Sequence, residues 1–217
     1  SANTTSGPVV ITGLTNGTSY SIKLRAVNSA GNGAESAAQS STPAATSNAP
    51  TALVATPGDG QVSIAFTAPT ATGGAAITDY EYQLDGGSWV SASTTSGPVV
   101  ISSLTNGTSY SIKLRAVNSV GDGAESAAVT STPAATSDAP TGLDAGLVGD
   151  GVVWVAFQAP TDTGGVAITD YEYELDDNGT WTSAGVTSSP AMITGLTNGT
   201  SYSIKLRAVN SAGAGAE

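Results

Sequence analysis

Cysteine and histidine are both absent from this 217-residue chain, and lysine and arginine together number only six. Without cysteine there are no disulfides, no thiolate metal ligands and no thiol nucleophile, and the compartment is left open. Without histidine, the common general base and the triad orienter are missing. Seventeen acidic residues against six basic ones give a net charge of −11, which repels phosphate backbones and anionic lipid. Nucleic acid is therefore not an expected partner. No apolar run approaches the roughly eighteen residues of a membrane-spanning helix, so membrane insertion is not expected in this segment. The chain does not open on a charged and then apolar leader, so any targeting signal is expected outside this sequence. Helix start and stop signals are missing throughout.

What is present is repetition. "LTNGTSYSIKLRAVNS" begins at residues 14, 104 and 196 without a substitution, so the unit recurs after 90 and then 92 residues, the size of one small domain. Those copies hold every base of the chain: Lys23, Arg25, Lys113, Arg115, Lys205 and Arg207.

Residues 46–136 show the unit whole. Val62, Ile64 and Phe66 alternate with polar or small residues, as do Tyr80, Tyr82 and Leu84, the period of two expected of half-buried strands. "APTATGGAA" lies between them, and "LDGGSW" turns tightly into a short strand at Trp89. Val99 and Ile101 mark a further strand. Asn106-Gly107 then forms a turn into one whose Tyr110, Ile112, Leu114 and Ala116 face one way and Ser111, Lys113 and Arg115 the other. A glycine-rich loop, "NSVGDGAE", is expected before a last strand over 126–132, and "PAATSDAP" reads as an extended, stiff joint to the next unit. Seven short strands in about 90 residues predict an all-β fold of tandem sandwiches.

The strand order, "LTNGTSYSIKLRAVNSVGDG" and the flanking prolines resemble fibronectin type III repeats over the whole chain. The resemblance implies seven-stranded immunoglobulin-like β-sandwiches, beads on a string. Residues 1–45 would be the C-terminal part of one repeat (strands E, F and G), 46–136 a complete repeat, and 137–217 a repeat lacking its last strand. It also implies that Leu104 and Tyr110 form the tyrosine corner. Phe66 and Phe157 stand where the family usually has a tryptophan in strand B. By the family's sheet order, Lys113 and Arg115 would meet Asp79 and Glu81, and Lys205 and Arg207 would meet Asp170, Glu172 and Glu174.

No catalytic residue, cofactor-binding residue or metal ligand is assigned, and no cofactor is expected. Asp79 with Glu81, and Asp176 with Asp177, are carboxylate pairs of the type that hydrolyses glycosides, yet they fall on an open strand and a hairpin turn. "DDNG" at 176–179 and "GDG" at 58–60, 121–123 and 149–151 hold oxygen ligands suited to calcium, but turns need the same residues and no full calcium loop is present. Asn3, Asn16, Asn106, Asn178 and Asn198 fit the N-glycosylation pattern, three of them at the expected turn. No Arg-Gly-Asp occurs, so the integrin recognition of some family members is not implied. The candidate interface is Trp154 with Met192, which replace Ser63 and Val100 on the outward side of strands B and E, neighbours in the family's fold.

A non-enzymatic, structural and adhesive spacer of a long extracellular repeat protein, filament or adhesin is the expected function, at the cell surface or secreted. Its partners would be other repeats or chains of the same protein, with a surface protein or glycan as further candidates. The alternative is an accessory spacer or weak glycan-binding module of a secreted polysaccharide-degrading enzyme, with Trp89, Trp154 and Trp181 as binding candidates. Because Ser1 aligns with Ser91 and Glu217 with Glu125, the sequence reads as a window on a longer array. Completion in trans, by residues 36–42 of another chain, is the competing reading.

Overall fold

The computed structural model describes residues 4–217, and among them every regular element is a strand. Period-two alternation with β-branched and aromatic residues suits a pleated, half-buried surface, and the glycine pairs punctuate it.

In the first stretch, β1 (Tyr20–Ile22) pairs antiparallel with β4 (Gln39–Ser41), and β2 (Val27–Asn28) with β3 (Gly31–Asn32). Residues 9–11 form no strand, and no described strand pairs with them.

The middle repeat has β5 (Thr51–Gly58), β6 (Gln61–Thr67), β7 (Ile77–Leu84), β8 (Trp89–Ser91), β9 (Val99–Ile101), β10 (Tyr110–Asn118), β11 (Gly121–Glu125) and β12 (Val129–Ser131). One sheet runs β5-β6-β9; the other runs β11-β10-β7-β8, with β12 also on β10. Val62, Ile64, Tyr80, Val99, Ile101, Ile112, Leu114 and Ala116 are buried.

The last repeat has β13 (Thr141–Gly149), β14 (Val152–Gln158), β15 (Ile168–Leu175), β16 (Trp181–Ser183), β17 (Ala191–Thr194), β18 (Ile204–Asn210) and β19 (Gly213–Ala214). Its sheets, β13-β14-β17 and β16-β15-β18-β19, enclose a core of Val155, Phe157, Tyr171, Ala191, Ile193, Leu206 and Ala208. The aromatic expected in strand B plugs this core: the Phe157 ring is tilted against Tyr171 with centroids 4.4 Å apart, as Phe66 is against Tyr80 at 4.6 Å.

One part of the sequence reading is corrected. The glycine-rich "NSVGDGAE" is not a loop; β10 and β11 meet in a two-residue hairpin, Asn118 opposite Gly121. The Asn118 Oδ1 closes it by accepting the Val120 and Gly121 N–H groups. The last strand therefore starts at Gly121 and breaks near Ser126. There the hydroxyl takes a ladder position: Ser126 Oγ accepts the Leu114 N–H at 3.0 Å while the Ser126 N–H donates to the Leu114 carbonyl at 2.8 Å.

By contact the chain groups into two compact units. One holds Ala65–Val99 and Ile112–Val129 with the chain up to Leu53; the other holds Val54–Ile64, Val100–Ser111 and Thr130–Glu217.

Candidate interaction sites

The repeated sixteen residues run from one pole of a repeat to the other. At the lower pole, Tyr110 Oη accepts the Thr105 N–H at 3.0 Å, with Tyr20 on Thr15 at 2.9 Å and Tyr202 on Thr197 at 3.0 Å in the other copies. This is a tyrosine corner, which fastens the turn to the strand that follows. The Asn106 side chain ties the same turn to the preceding hairpin: its Nδ2 donates to Asp59 at 2.8 Å and its Oδ1 accepts the Gly60 N–H at 2.8 Å. Asn198 repeats both bonds with Asp150 at 2.7 Å and Gly151 at 2.9 Å. So the "GDG" motifs at 58–60 and 149–151 have protein amides on their carboxylates, and Asp122 of the third is salt-bridged to Arg115 at 2.8 Å. Asn3, one of the glycosylation patterns, lies outside the described residues.

Gly107, next in the turn, has φ near +78°, in the left-handed region that glycine adopts without strain. Its N–H donates to the Pro133 carbonyl of the following linker at 2.8 Å, and the linker's Ala134 and Ala135 donate to the Gly58 and Gly164 carbonyls at 3.2 and 2.9 Å. The backbones of Gly107 and Gly165 then touch: a Cβ built on Gly165 would fall 2.5 Å from the Asn106 carbonyl carbon. One repeat earlier the arrangement recurs. Gly17 donates to Pro43 at 2.8 Å and Ala45 donates to Gly73 at 2.9 Å. A Cβ on Gly74 would lie 2.5 Å from the Asn16 carbonyl carbon. Only glycine allows backbones this close.

At the upper pole, Asn118 Nδ2 donates to the Ala45 and Thr72 carbonyls, each at 2.9 Å, and Asn210 Nδ2 to Ala135 and Thr163, each at 2.8 Å. The linker is thus held on the repeat that follows it. Sequence reading missed both this clamp and the Gly-Gly loop. The signal was the exact recurrence of Asn28, Asn118 and Asn210 at the strand end and of Gly-Gly at 73–74 and 164–165.

The ion pairs are partly as expected. Arg115 meets Glu81 at 2.6 Å and Arg207 meets Glu172 at 2.6 Å, across the register that places each pair opposite. The lysines turn the other way: Lys113 pairs with Glu125 at 2.9 Å, and Lys205 with Asp177 at 2.5 Å and Glu217 at 3.5 Å. The register accounts for Lys113, which stands opposite Gln83. Glu174 stands opposite Lys205 but is buried and accepts the Gly179 N–H; Asp170 and Asp79 are taken by backbone or hydroxyl donors. The Asp177 carboxylate raises the Lys205 pKa.

The carboxylate pairs considered for glycoside hydrolysis are likewise occupied. Asp79 accepts from Ser91 Oγ and the Thr94 N–H, Glu81 holds Arg115, Asp176 accepts the Ser203 N–H and Asp177 holds Lys205. Trp89 and Trp181 are covered by guanidinium groups, Arg115 lying 4.4 Å and Arg207 4.2 Å from the ring centroids. Among the described residues there is no His, Cys, Asp and Glu cluster of a kind that holds a metal, and no helix long and apolar enough to cross a membrane.

Trp154 and Met192 stand directly opposite each other on β14 and β17, and Leu147 stands opposite Trp154 on β13. Three apolar side chains therefore cross one sheet face. Met192 is 49% and Leu147 70% exposed, and the Trp154 ring lies over Gly149 and is half-buried.

The fibronectin type III domain family matches residues 48–132 and 138–217. The chain is 33% identical to Exoglucanase B of Cellulomonas fimi, over 93% of its own length and 20% of that enzyme's, so it spans about a fifth of this relative. The FN1–FN3 domains of chicken CNTN1 share its fold, with a TM-score of 0.51 at 23% identity, covering 92% of this chain and 73% of that one. With both matched regions coinciding with the paired antiparallel sheets of the middle and last repeats, the chain belongs to the fibronectin type III domain family.

Proposed function

We propose that this chain is a non-catalytic spacer segment of an extracellular protein, acting mechanically and by protein–protein contact. The observation that carries the reading is the recurrence of one junction. Gly17 on Gly74 and Gly107 on Gly165 are locked by the same backbone contacts and the same proline carbonyl, which fixes spacing in a way a loose tether does not. Its protein contact is assigned to the row of Leu147, Trp154 and Met192, since large apolar side chains mark interface centres.

The setting is a second question. The likeness to Exoglucanase B favours a spacer within a secreted polysaccharide-degrading enzyme over an adhesin or filament. The arginine covers on Trp89 and Trp181 argue against a glycan platform, which needs open aromatic faces.

The absence of cysteine makes the test clean. Spin labels on V100C and T182C, both exposed, span the Gly107–Gly165 junction. A narrow distance distribution is expected, and a broad, tether-like one would overturn the spacer reading. Sedimentation with cellulose should leave the chain in the supernatant; depletion would point to glycan binding instead.

A further inference from the structure

We infer that the lower pole of the last repeat, around Asn198-Gly199, is a preformed socket for the Gly-Gly loop of a further fibronectin type III repeat, tethered in cis by a proline-bearing linker. The same sixteen residues build the pole three times, and in two copies it is filled in one way. In the third the parts are already set. Gly199 has φ near +79°, against +78° at Gly107; Asn198 is fastened to Asp150 and Gly151; and Tyr202 closes the corner on Thr197. Yet a Cβ on Gly199 would meet nothing within 4 Å, and the Gly199 N–H has no acceptor among the described residues. Beside it runs an open groove of about 240 Å³ lined by Val148, Gly149, Val152, Leu196, Asn198 and Tyr202. In the middle repeat the Ala134 N–H of the linker reaches the carbonyl of Gly58, the counterpart of Gly149.

The occupant follows from the filled copies. It must offer a carbonyl to Gly199, as Pro43 and Pro133 do, and a loop without side chains, as Gly73-Gly74 and Gly164-Gly165 are. Any residue with a Cβ in the second glycine position would meet the turn backbone, so the socket selects among repeats by loop sequence. This deepens the spacer reading and rests on it for the premise that junctions are fixed.

Because Glu217 aligns with Glu125, appending a second copy of residues 126–217 after Glu217 continues the repeat in register. Amide exchange at Gly199, followed by NMR, is the readout. In the 217-residue chain Gly199 should exchange about tenfold or more faster than Gly107, and in the extended chain it should slow to the Gly107 rate. Gly165→Asn in the appended copy alone, chosen because asparagine tolerates positive φ, should restore fast exchange. Fast exchange at Gly199 in the extended chain, with Gly107 protected and the V100C/T182C distances narrow, overturns the socket and leaves the spacer standing. A broad distance distribution removes the spacer reading whatever Gly199 does.

Discussion

Residues 14–29 and 104–119 are the same sixteen amino acids, and they adopt the same local bonds in different surroundings. Each has its corner, Tyr20 on Thr15 and Tyr110 on Thr105. Each has its serine in the ladder, Leu24 donating to Ser36 Oγ and Leu114 to Ser126 Oγ, both at 3.0 Å. Each pairs its lysine with the glutamate twelve residues on, at 3.2 Å for Lys23 and 2.9 Å for Lys113. Burial is where they part: Leu24 is 49% exposed and Leu114 is 0%. The difference teaches that the hydrogen-bonded frame of this segment is written within about twenty residues, whereas its hydrophobic stabilisation comes from strands far away in sequence, such as β7, whose Tyr82 stands opposite Leu114.

The largest expected contrast follows from that. Leu114→Ala should lower stability by about 2–5 kcal/mol, the range for opening a cavity at a fully buried leucine, while Leu24→Ala should cost less than about 1 kcal/mol in this chain. Calorimetry on both variants reads the difference. Equal shifts would mean that the exposed copy is packed in solution and would break the comparison.

The junction glycines sharpen it next. Gly107→Ala and Gly199→Ala both force alanine into the left-handed region, at about 1–2 kcal/mol each. Only the first drives a methyl group into the Gly165 backbone, which should add roughly 1–3 kcal/mol. Denaturation midpoints for the two variants that coincide would show that the closed junction yields without strain.

Much of this was legible in the sequence, for a definite reason. Alternation reports which face of a strand a residue occupies, so Val62, Ile64, Tyr80, Ile112 and Leu114 could be placed as buried without knowing their neighbours. The adjacency of Trp154 and Met192 likewise follows once strands B and E are paired, and the register puts them opposite. What could not be read were contacts at the poles. The Asn106–Asp59 bond joins residues 47 apart and the Asn118–Ala45 bond residues 73 apart, and turn residues such as Gly-Gly carry no periodic signal. Lys113 departs from the expected pairing because register has to be known to one residue: it faces Gln83, not an acid. The Arg115–Trp89 stack was hidden for the same reason. Lys205 does face an acid, Glu174, but that carboxylate is buried and taken by the Gly179 N–H.

A smaller effect tests the corner itself. Tyr110→Phe removes one oxygen and leaves the Thr105 N–H without its acceptor, which should lower the denaturation midpoint by the equivalent of about 1 kcal/mol. An unchanged midpoint would show that the corner hydroxyl adds nothing beyond what water replaces.

Tyr171 is the counter-case, and the smallest effect expected. It is fully buried, and its hydroxyl is the buried side-chain polar atom that finds no partner among the described residues. An unpaired buried hydroxyl is a desolvation cost in the folded state, so Tyr171→Phe should be neutral or slightly stabilising near pH 7, within about 1 kcal/mol, where Tyr110→Phe destabilises. Alkaline pH separates the two kinds of tyrosine further. Burial raises the Tyr171 pKa above its ordinary value, because the phenolate cannot be solvated there. The stability linked to that shift is fully present below the unfolded pKa near 10 and is lost as pH rises from there through the higher folded value. At the corners the sign reverses: the Thr15 and Thr197 backbone N–H groups favour the phenolate of Tyr20 and Tyr202 and lower their pKa values, so those groups favour the fold as pH rises. Tyr171→Phe should therefore lose less stability than the parent between about pH 9.5 and 11, with Tyr80, also raised by burial, still titrating in both. Parallel stability curves across that interval would show that the Tyr171 hydroxyl is not desolvated in the folded chain.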